Sequence, residues 1–197
     1  MANTSAPFGF KHFGNAGGVT PNFELVTLKI ASGDTTAAYR GDPLKRLSTG
    51  YVSQWSAGTA VSQLAGIFES CTYLSVSQGK KVWSPYWPGS DASGDVTVYA
   101  VPVQSGAKFA VQVSGASPVA FAEIGQNIDV ALGTGNTRTG QSGATVNYAT
   151  LGTTSTLPFV VVDQWSNWTV SGLNGTDDTT AYNVIIVQAN FTSRTGI

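Results

Sequence analysis

The sequence predicts an all-β protein, an antiparallel β-sandwich or barrel with long loops and an extended N-terminal arm. Three observations predict it. Short segments alternate apolar and polar residues with period two and are rich in β-branched and aromatic side chains. Two further runs, Phe159-Val160-Val161-Val162 and Val184-Ile185-Ile186-Val187, are apolar throughout, as suits central strands covered on both faces. No stretch repeats apolar positions at i, i+3, i+4 and i+7 over three turns; the best helix candidate, Ala60 to Gly66, is short. A chain of 197 residues fits one domain, or one domain plus an arm.

Residues 1–22 form the arm. They carry Phe8, Phe10 and Phe13 among Gly, Pro and Asn, and Gly17-Gly18 and Pro21 punctuate the exit. Three aromatics are costly to leave in water, so the arm is expected to dock, on its own body or, preferably, on a neighbouring chain. Removing it should leave the body folded. Residues 23–197 read as a single β domain. Phe23 to Ile30 alternates, and the turn Ser32-Gly33-Asp34 follows. Gly50 to Trp55, Ala65 to Leu74, Asp95 to Val101 and Lys108 to Val113 are the next strand candidates. Between them lie two long loops, Ser75 to Gly94 and Gly133 to Thr156. Loops of that length are uncommon unless they bind something or are disordered. These carry aromatic and small polar residues, so they read as contact surfaces, with Trp83, Tyr86 and Trp87 as possible contacts.

Only 11% of residues are charged and the net charge is -1. Nucleic-acid binding needs a positive field, and the densest basic spots, Lys45-Arg46 and Lys80-Lys81, hold two residues each. No nucleic-acid partner is expected. No apolar run reaches ~18 residues, so no membrane span is expected. The start MANTSAPFGF shows no basic end or apolar core of a signal peptide. Cys71, the single cysteine, reads as a small buried hydrophobe, and a reducing cytoplasm is the simplest compartment.

The catalytic inventory is thin. His12 is the one histidine and lies in the arm, so a Ser-His or Cys-His pair would have to use it. Neither a catalytic residue, a metal site nor a cofactor is expected. Gly133 to Gly140 has glycines without the dinucleotide-loop spacing, since Arg138 stands where the third glycine belongs. Calcium at Asp91/Asp95 or Asp177/Asp178 lacks ligands enough for an EF-hand loop. The enzyme rival is a small jelly-roll glycosidase, whose chemistry needs two carboxylates roughly 5–10 Å apart. Glu69 and Glu123 sit in apolar contexts that suit that role. A carbohydrate-binding sandwich would instead use Trp83, Tyr86 and Trp87 as a stacking platform. Four glycosylation sequons, at Asn3, Asn167, Asn174 and Asn190, are of the number chance supplies in so Asn/Ser/Thr-rich a chain.

Particular strings carry more than composition does. They are APFGF (6–10), SGDTT (32–36), YRGDPLK (39–45), AGIFESCTY (65–73), VWSPYWPG (82–89), SGDVTVYAV (93–101), IGQNIDVALGTGNTRTGQSGATV (124–146) and NGTDDTTAYN (174–183). Over about residues 6 to 188 the chain resembles a family of tailed-bacteriophage virion proteins read as capsid decoration, or cement, proteins. None of these strings is a chemical signature; the resemblance is one of overall text. It implies a structural protein of the virion, made in the bacterial host cytoplasm and bound to the outer capsid surface. There it would stabilise contacts between capsomers. Its partners would be the major capsid protein and further copies of itself, as a dimer or trimer. Phe8, Phe10 and Phe13 would be the arm's contacts. A head-fibre base or a tail-associated β module is the alternative within the virion.

Overall fold

A computed structural model describes residues 2–15, 24–103, 106–165 and 177–191. Gly17, Gly18, Pro21, Phe23 and the sequons at Asn167 and Asn174 lie outside them. Among the described residues fourteen strands run in chain order: β1 (Lys11–Gly14), β2 (Val26–Ile30), β3 (Ala38–Tyr39), β4 (Pro43–Arg46), β5 (Val52–Gln54), β6 (Leu64–Ser75), β7 (Lys80–Ser84), β8 (Tyr86–Trp87), β9 (Val96–Val101), β10 (Lys108–Ser114), β11 (Asn127–Ala131), β12 (Thr145–Gly152), β13 (Phe159–Gln164) and β14 (Val184–Ala189). The all-β class is as the alternation predicts. The helix candidate at Ala60 to Gly66 is a single 3-10 turn, Val61–Gln63, that leads straight into β6.

The C-terminal strands close into a barrel. Their order is β10-β12-β11-β13-β14, and β14 pairs back onto β10 over five residues, Lys108↔Gln188 to Gln112↔Val184. One joint departs from the antiparallel expectation: β10 and β12 run parallel at Val113↔Val146. A second sheet, β2-β9-β6-β4-β5, carries β7 on the far end of β6, and β3 pairs with β8 beside it. The answer to sandwich or barrel is a barrel packed on a sheet.

β6 is the wall between the two. Leu64 to Phe68 are all buried, and a register shift against β4 between Leu64 and Gly66 breaks the strict alternation while still sending side chains in two directions. Leu64 and Ile67 join Phe109, Val111, Ile128, Phe159 and Ile185 in the barrel core. Ala65 and Phe68 join Ile30, Leu44, Val96, Val98 and Trp87 in the second core. Gly66 lets β9 approach closely: a Cβ there would lie 2.9 Å from the Val101 carbonyl oxygen. The run Val184 to Val187 is covered on both faces, as its unbroken apolarity predicts. Ile185 and Val187 point into the barrel, while Val184 and Ile186 lie outside under Phe8 and Trp165.

Several strands fall where loops are expected. β7 and β8 occupy Ser75 to Gly94, and β12 begins inside Gly133 to Thr156. Their signal is weak for a physical reason. β12 is fully buried only at Thr145 and Val146, and β7 has no fully buried residue, so neither needs a continuous apolar face.

Residues 40–42 tie the layers together. Asp42 is buried, and Ser142 Oγ, Tyr39 N (2.8 Å) and Gln54 Nε2 (2.7 Å) all donate to its carboxylate. Its carbonyl accepts from Phe68 N, and Gly41 N donates to the Phe68 carbonyl, both at 2.8 Å. Phe10 N donates to the Gly41 carbonyl at 2.9 Å. Burial pushes the Asp42 carboxyl above its ordinary 3.8, against the pull of its hydrogen bonds, which favour the charged form.

A group whose pKa is raised on folding contributes most below its unfolded pKa, and that contribution is lost as the pH rises through the folded value. Asp42→Ala leaves buried donors unpaired and is expected to lose about 3 kcal/mol of stability. Asp42→Asn keeps one acceptor oxygen for Tyr39 N and Gln54 Nε2 and turns an NH2 toward the Ser142 hydroxyl, which can accept, and is expected to lose about 1 kcal/mol at neutral pH. Wild type should gain on Asp42→Asn as the pH falls toward 3.8. Urea midpoints of the three proteins across that range check both the order and the sign.

Candidate functional site

A groove of about 540 Å³ lies between the N-terminal segment and β6. Phe8, Phe10, Leu25 and Val101 give it apolar lining; Lys11, His12, Arg40, Glu69, Thr139 and Gln141 are the polar residues around it. Each wall has a local cause. β1 is held by pairing with β10, Lys11↔Ala110 and His12↔Phe109. Glu69 is the extra residue of a bulge in β6, where Phe68 faces Ala100 and Ser70 faces Tyr99. A bulge turns a side chain out of the regular alternation, and this one presents Glu69 to Arg40. Arg40 is held by backbone bonds to the 136–142 turn: its N–H donates to Gly140 O and its carbonyl accepts from Ser142 N, both at 2.9 Å.

Arg40 and Glu69 form the one salt bridge among the described residues. The carboxylate holds the guanidinium pKa above its ordinary value. The pair is partly exposed, so its net contribution to stability is small. The groove thus combines an apolar lining with a charged rim. That arrangement can hold an extended chain or a ligand with both apolar and ionic groups.

The predicted arm residues separate. Phe10 is 3% exposed and stacks on Phe159 at 4.7 Å inside the barrel core. Phe8 is half-buried over Ala110 and Ile186. Phe13 remains 47% exposed, 6.1 Å from Trp165. Further back, Ala6 N donates to Gln112 Oε1 at 2.9 Å, and Gln112 Nε2 donates to the Thr4 carbonyl at 3.0 Å. Asn3 bonds to the backbone of Asp177 and Ala181. The expectation that the arm preferably docks on a neighbour is therefore corrected for residues 2–15: they are strapped to their own body. Because Phe10 belongs to the barrel core, loss of the arm is expected to destabilise the body. Phe10 has no surface to offer a partner.

The loop aromatics also separate. Trp87 is 1% exposed and meets Tyr73 edge-on at 5.2 Å, so its reading as a surface contact is corrected too. Tyr86 stacks on Tyr39 at 5.5 Å and is half-buried. Trp83 alone is open to solvent, at 65%. The three rings do not form one platform.

Glu69 and Glu123 stand in different units. Glu69 belongs to the second sheet and accepts from Arg40. Glu123 lies in the 3-10 turn Phe121–Glu123 before β11, where it accepts from Ala120 N at 2.7 Å and Tyr148 Oη at 3.1 Å. Asp91 accepts from Ser75 Oγ, Ser77 N and Ser77 Oγ and shapes the turn after β6; those bonds hold its pKa below the ordinary value. Asp95 accepts from Ser32 N and Tyr51 Oη. Among the described residues no three His, Cys, Asp or Glu side chains gather as metal ligands. Cys71 is buried as expected, and burial pushes its thiol up to about 12. The sequon residue Asn190 is buried, with its amide on the Ser155 and Leu157 carbonyls.

Sequence reasoning missed Arg40, whose partner is twenty-nine positions away, and the bulge that aims Glu69. A bulge has no periodic signature. Comparison with family models, curated proteins and solved structures gave no match.

Phe10→Ala should empty part of the barrel and cost about 3–5 kcal/mol, while Phe13→Ala should cost under about 1 kcal/mol. Chemical denaturation of the two variants beside wild type tests this. Equal losses would contradict the different burial of the two rings.

Proposed function

We propose that this protein is a structural component of a tailed-phage head, a decoration protein that binds the outer shell surface and stabilises contacts between capsomers. The observation that carries the reading is the resemblance of residues from about 6 to 188 to that family. Two features of the fold support it. The N-terminal segment, the barrel and the second sheet share cores and a hydrogen-bonded knot at residues 40–42, so a load applied to one part is carried by the others. The barrel closes its own edges by the pairing of β14 with β10, and a closed barrel resists unwanted strand pairing in a crowded lattice.

With Phe10 inside its own barrel, attachment must use the surface of the body rather than a free aromatic tether. Modest contacts suffice when many copies, as dimers or trimers, engage one shell, because each further contact is effectively intramolecular.

The test is co-sedimentation of purified protein with empty head shells assembled from the major capsid protein of the same genome. Saturable binding at a fixed ratio of copies, with a raised temperature of shell rupture, is the expected result. Absence of binding, or bound shells that rupture at the unchanged temperature, would overturn the reading.

A further inference from the structure

The strand register lays out one face whose largest apolar side chains, Trp83 and Leu74, stay open to solvent. Lys29 on β2 faces Thr97 on β9, Thr97 faces Thr72 on β6, and Thr72 faces Trp83 on β7. This row crosses four strands. Leu74 and Lys81, also a facing pair, lie two residues along the same face. The opposite face of these strands carries Ile30, Val96, Val98, Cys71 and Tyr73 and is buried in the second core. Trp83 is 65% and Leu74 47% exposed, and Trp83 stands diagonal to Leu74 across the pair.

Large exposed aromatics rimmed by polar groups mark interaction sites. The charge on this face is cationic. Lys29 and Lys81 are exposed, and Lys80 flanks them on β7. Asp95 sits at the border, and its carboxylate oxygens accept from Ser32 N and Tyr51 Oη. In a chain of net charge -1, this face carries two exposed lysines, Lys81 two residues from Trp83 on β7 and Lys29 three strands away on β2, against one carboxylate at its border.

We propose that this face is the docking surface, and that its partner is a protein surface of the head shell that carries carboxylates around an apolar recess for Trp83. The proposal rests on the reading of the protein as a shell-binding module. Charge complementarity chooses the occupant: carboxylates pair with Lys29 and Lys81 while the indole buries in the recess. A neutral sugar stacked on Trp83 has no use for the lysines. A second copy would bring the same lysines toward each other across a two-fold axis.

The experiment compares wild type, Trp83→Ala and the double variant Lys29→Glu/Lys81→Glu in co-sedimentation with the same empty shells. All three side chains are exposed, so the variants should keep the wild-type thermal midpoint. Trp83→Ala should bind at least about ten-fold more weakly, as for a central aromatic anchor. The charge reversal should weaken binding by a similar factor and remove the loss of affinity that wild type shows between about 0.05 and 0.5 M salt. If wild type binds and both variants bind equally well, the inference falls while the function stands. If wild type does not bind, the function itself falls. Two other results would reassign the face and overturn the inference. One is a wild-type dimer in shell-free solution that Trp83→Ala dissociates. The other is retention on a polysaccharide matrix that Trp83→Ala abolishes.

Discussion

The buried carboxylate of Asp42 is the constraint on which the arrangement of the layers depends. A carboxylate out of water is costly unless its oxygens are occupied, and the occupants come from three places: Tyr39 in β3, Gln54 in β5 and Ser142 beyond the 136–141 turn. Satisfying Asp42 therefore fixes its own turn at Tyr39 against two further segments, at Gln54 and Ser142. The neighbours extend the knot. Gly41 has φ +95 and lies against Gly9, whose added Cβ would come within 2.9 Å of the Gly41 carbonyl oxygen and 2.7 Å of Ser142 Cβ. Only two glycines in contact let the N-terminal segment come close enough for Phe10 N to reach the Gly41 carbonyl. From that bond onward the ring of Phe10 is committed to the barrel, and β1 to the edge of β10. The arm is part of the fold because residues 40–42 hold its entrance.

The same knot explains what the sequence could and could not disclose. Period-two alternation located β2, β9 and β10, since each has one buried face and one partly exposed face or a dense apolar core. The unbroken run at β14 correctly implied cover on both sides. What covers its outer side was not legible: Phe8 lies more than 170 positions away, and no local pattern encodes a contact at that separation. Gly41-Asp42-Pro43 is turn chemistry by residue type, and Asp42 N does donate to the Tyr39 carbonyl. The burial of Asp42 was not legible, because it depends on Gln54 and Ser142. Trp83 and Trp87 look alike in VWSPYWPG, yet one is exposed and the other is buried. Pro85 breaks the strand between them, so the alternation that would assign their faces cannot be counted across it.

The candidate groove was legible only in pieces. Glu69 stands out in the sequence for its apolar context, IFESC, which suits a catalytic carboxylate. The context is real, for Phe68, Ser70 and Cys71 are buried. The bulge between Phe68 and Ser70 turns Glu69 alone outward, where Arg40 meets it. A strand without the bulge would have placed Glu69 by parity with Ile67 or Cys71, both fully buried. The sequence thus marked the correct residue for the wrong environment.

Edge protection offers a second account of the lysines on the outer face, and the two accounts separate at Trp83. Open strand edges invite pairing with other chains, and lysines on them discourage it. β2 and β7 are edges of the second sheet and carry Lys29, Lys80 and Lys81. Protection against association would favour polar residues throughout such an edge. It does not account for an indole left 65% exposed directly beside Lys81's strand partner Leu74, itself 47% exposed. A surface that carries lysines at its edges and still displays its largest apolar group is what the proposed docking face requires. The interior makes the same point from the other side: Trp55 and Trp87 are almost completely buried in the two cores, so the fold has room for large indoles where packing is their purpose. Leaving Trp83 in water forgoes hydrophobic free energy that burial against the proposed partner would return.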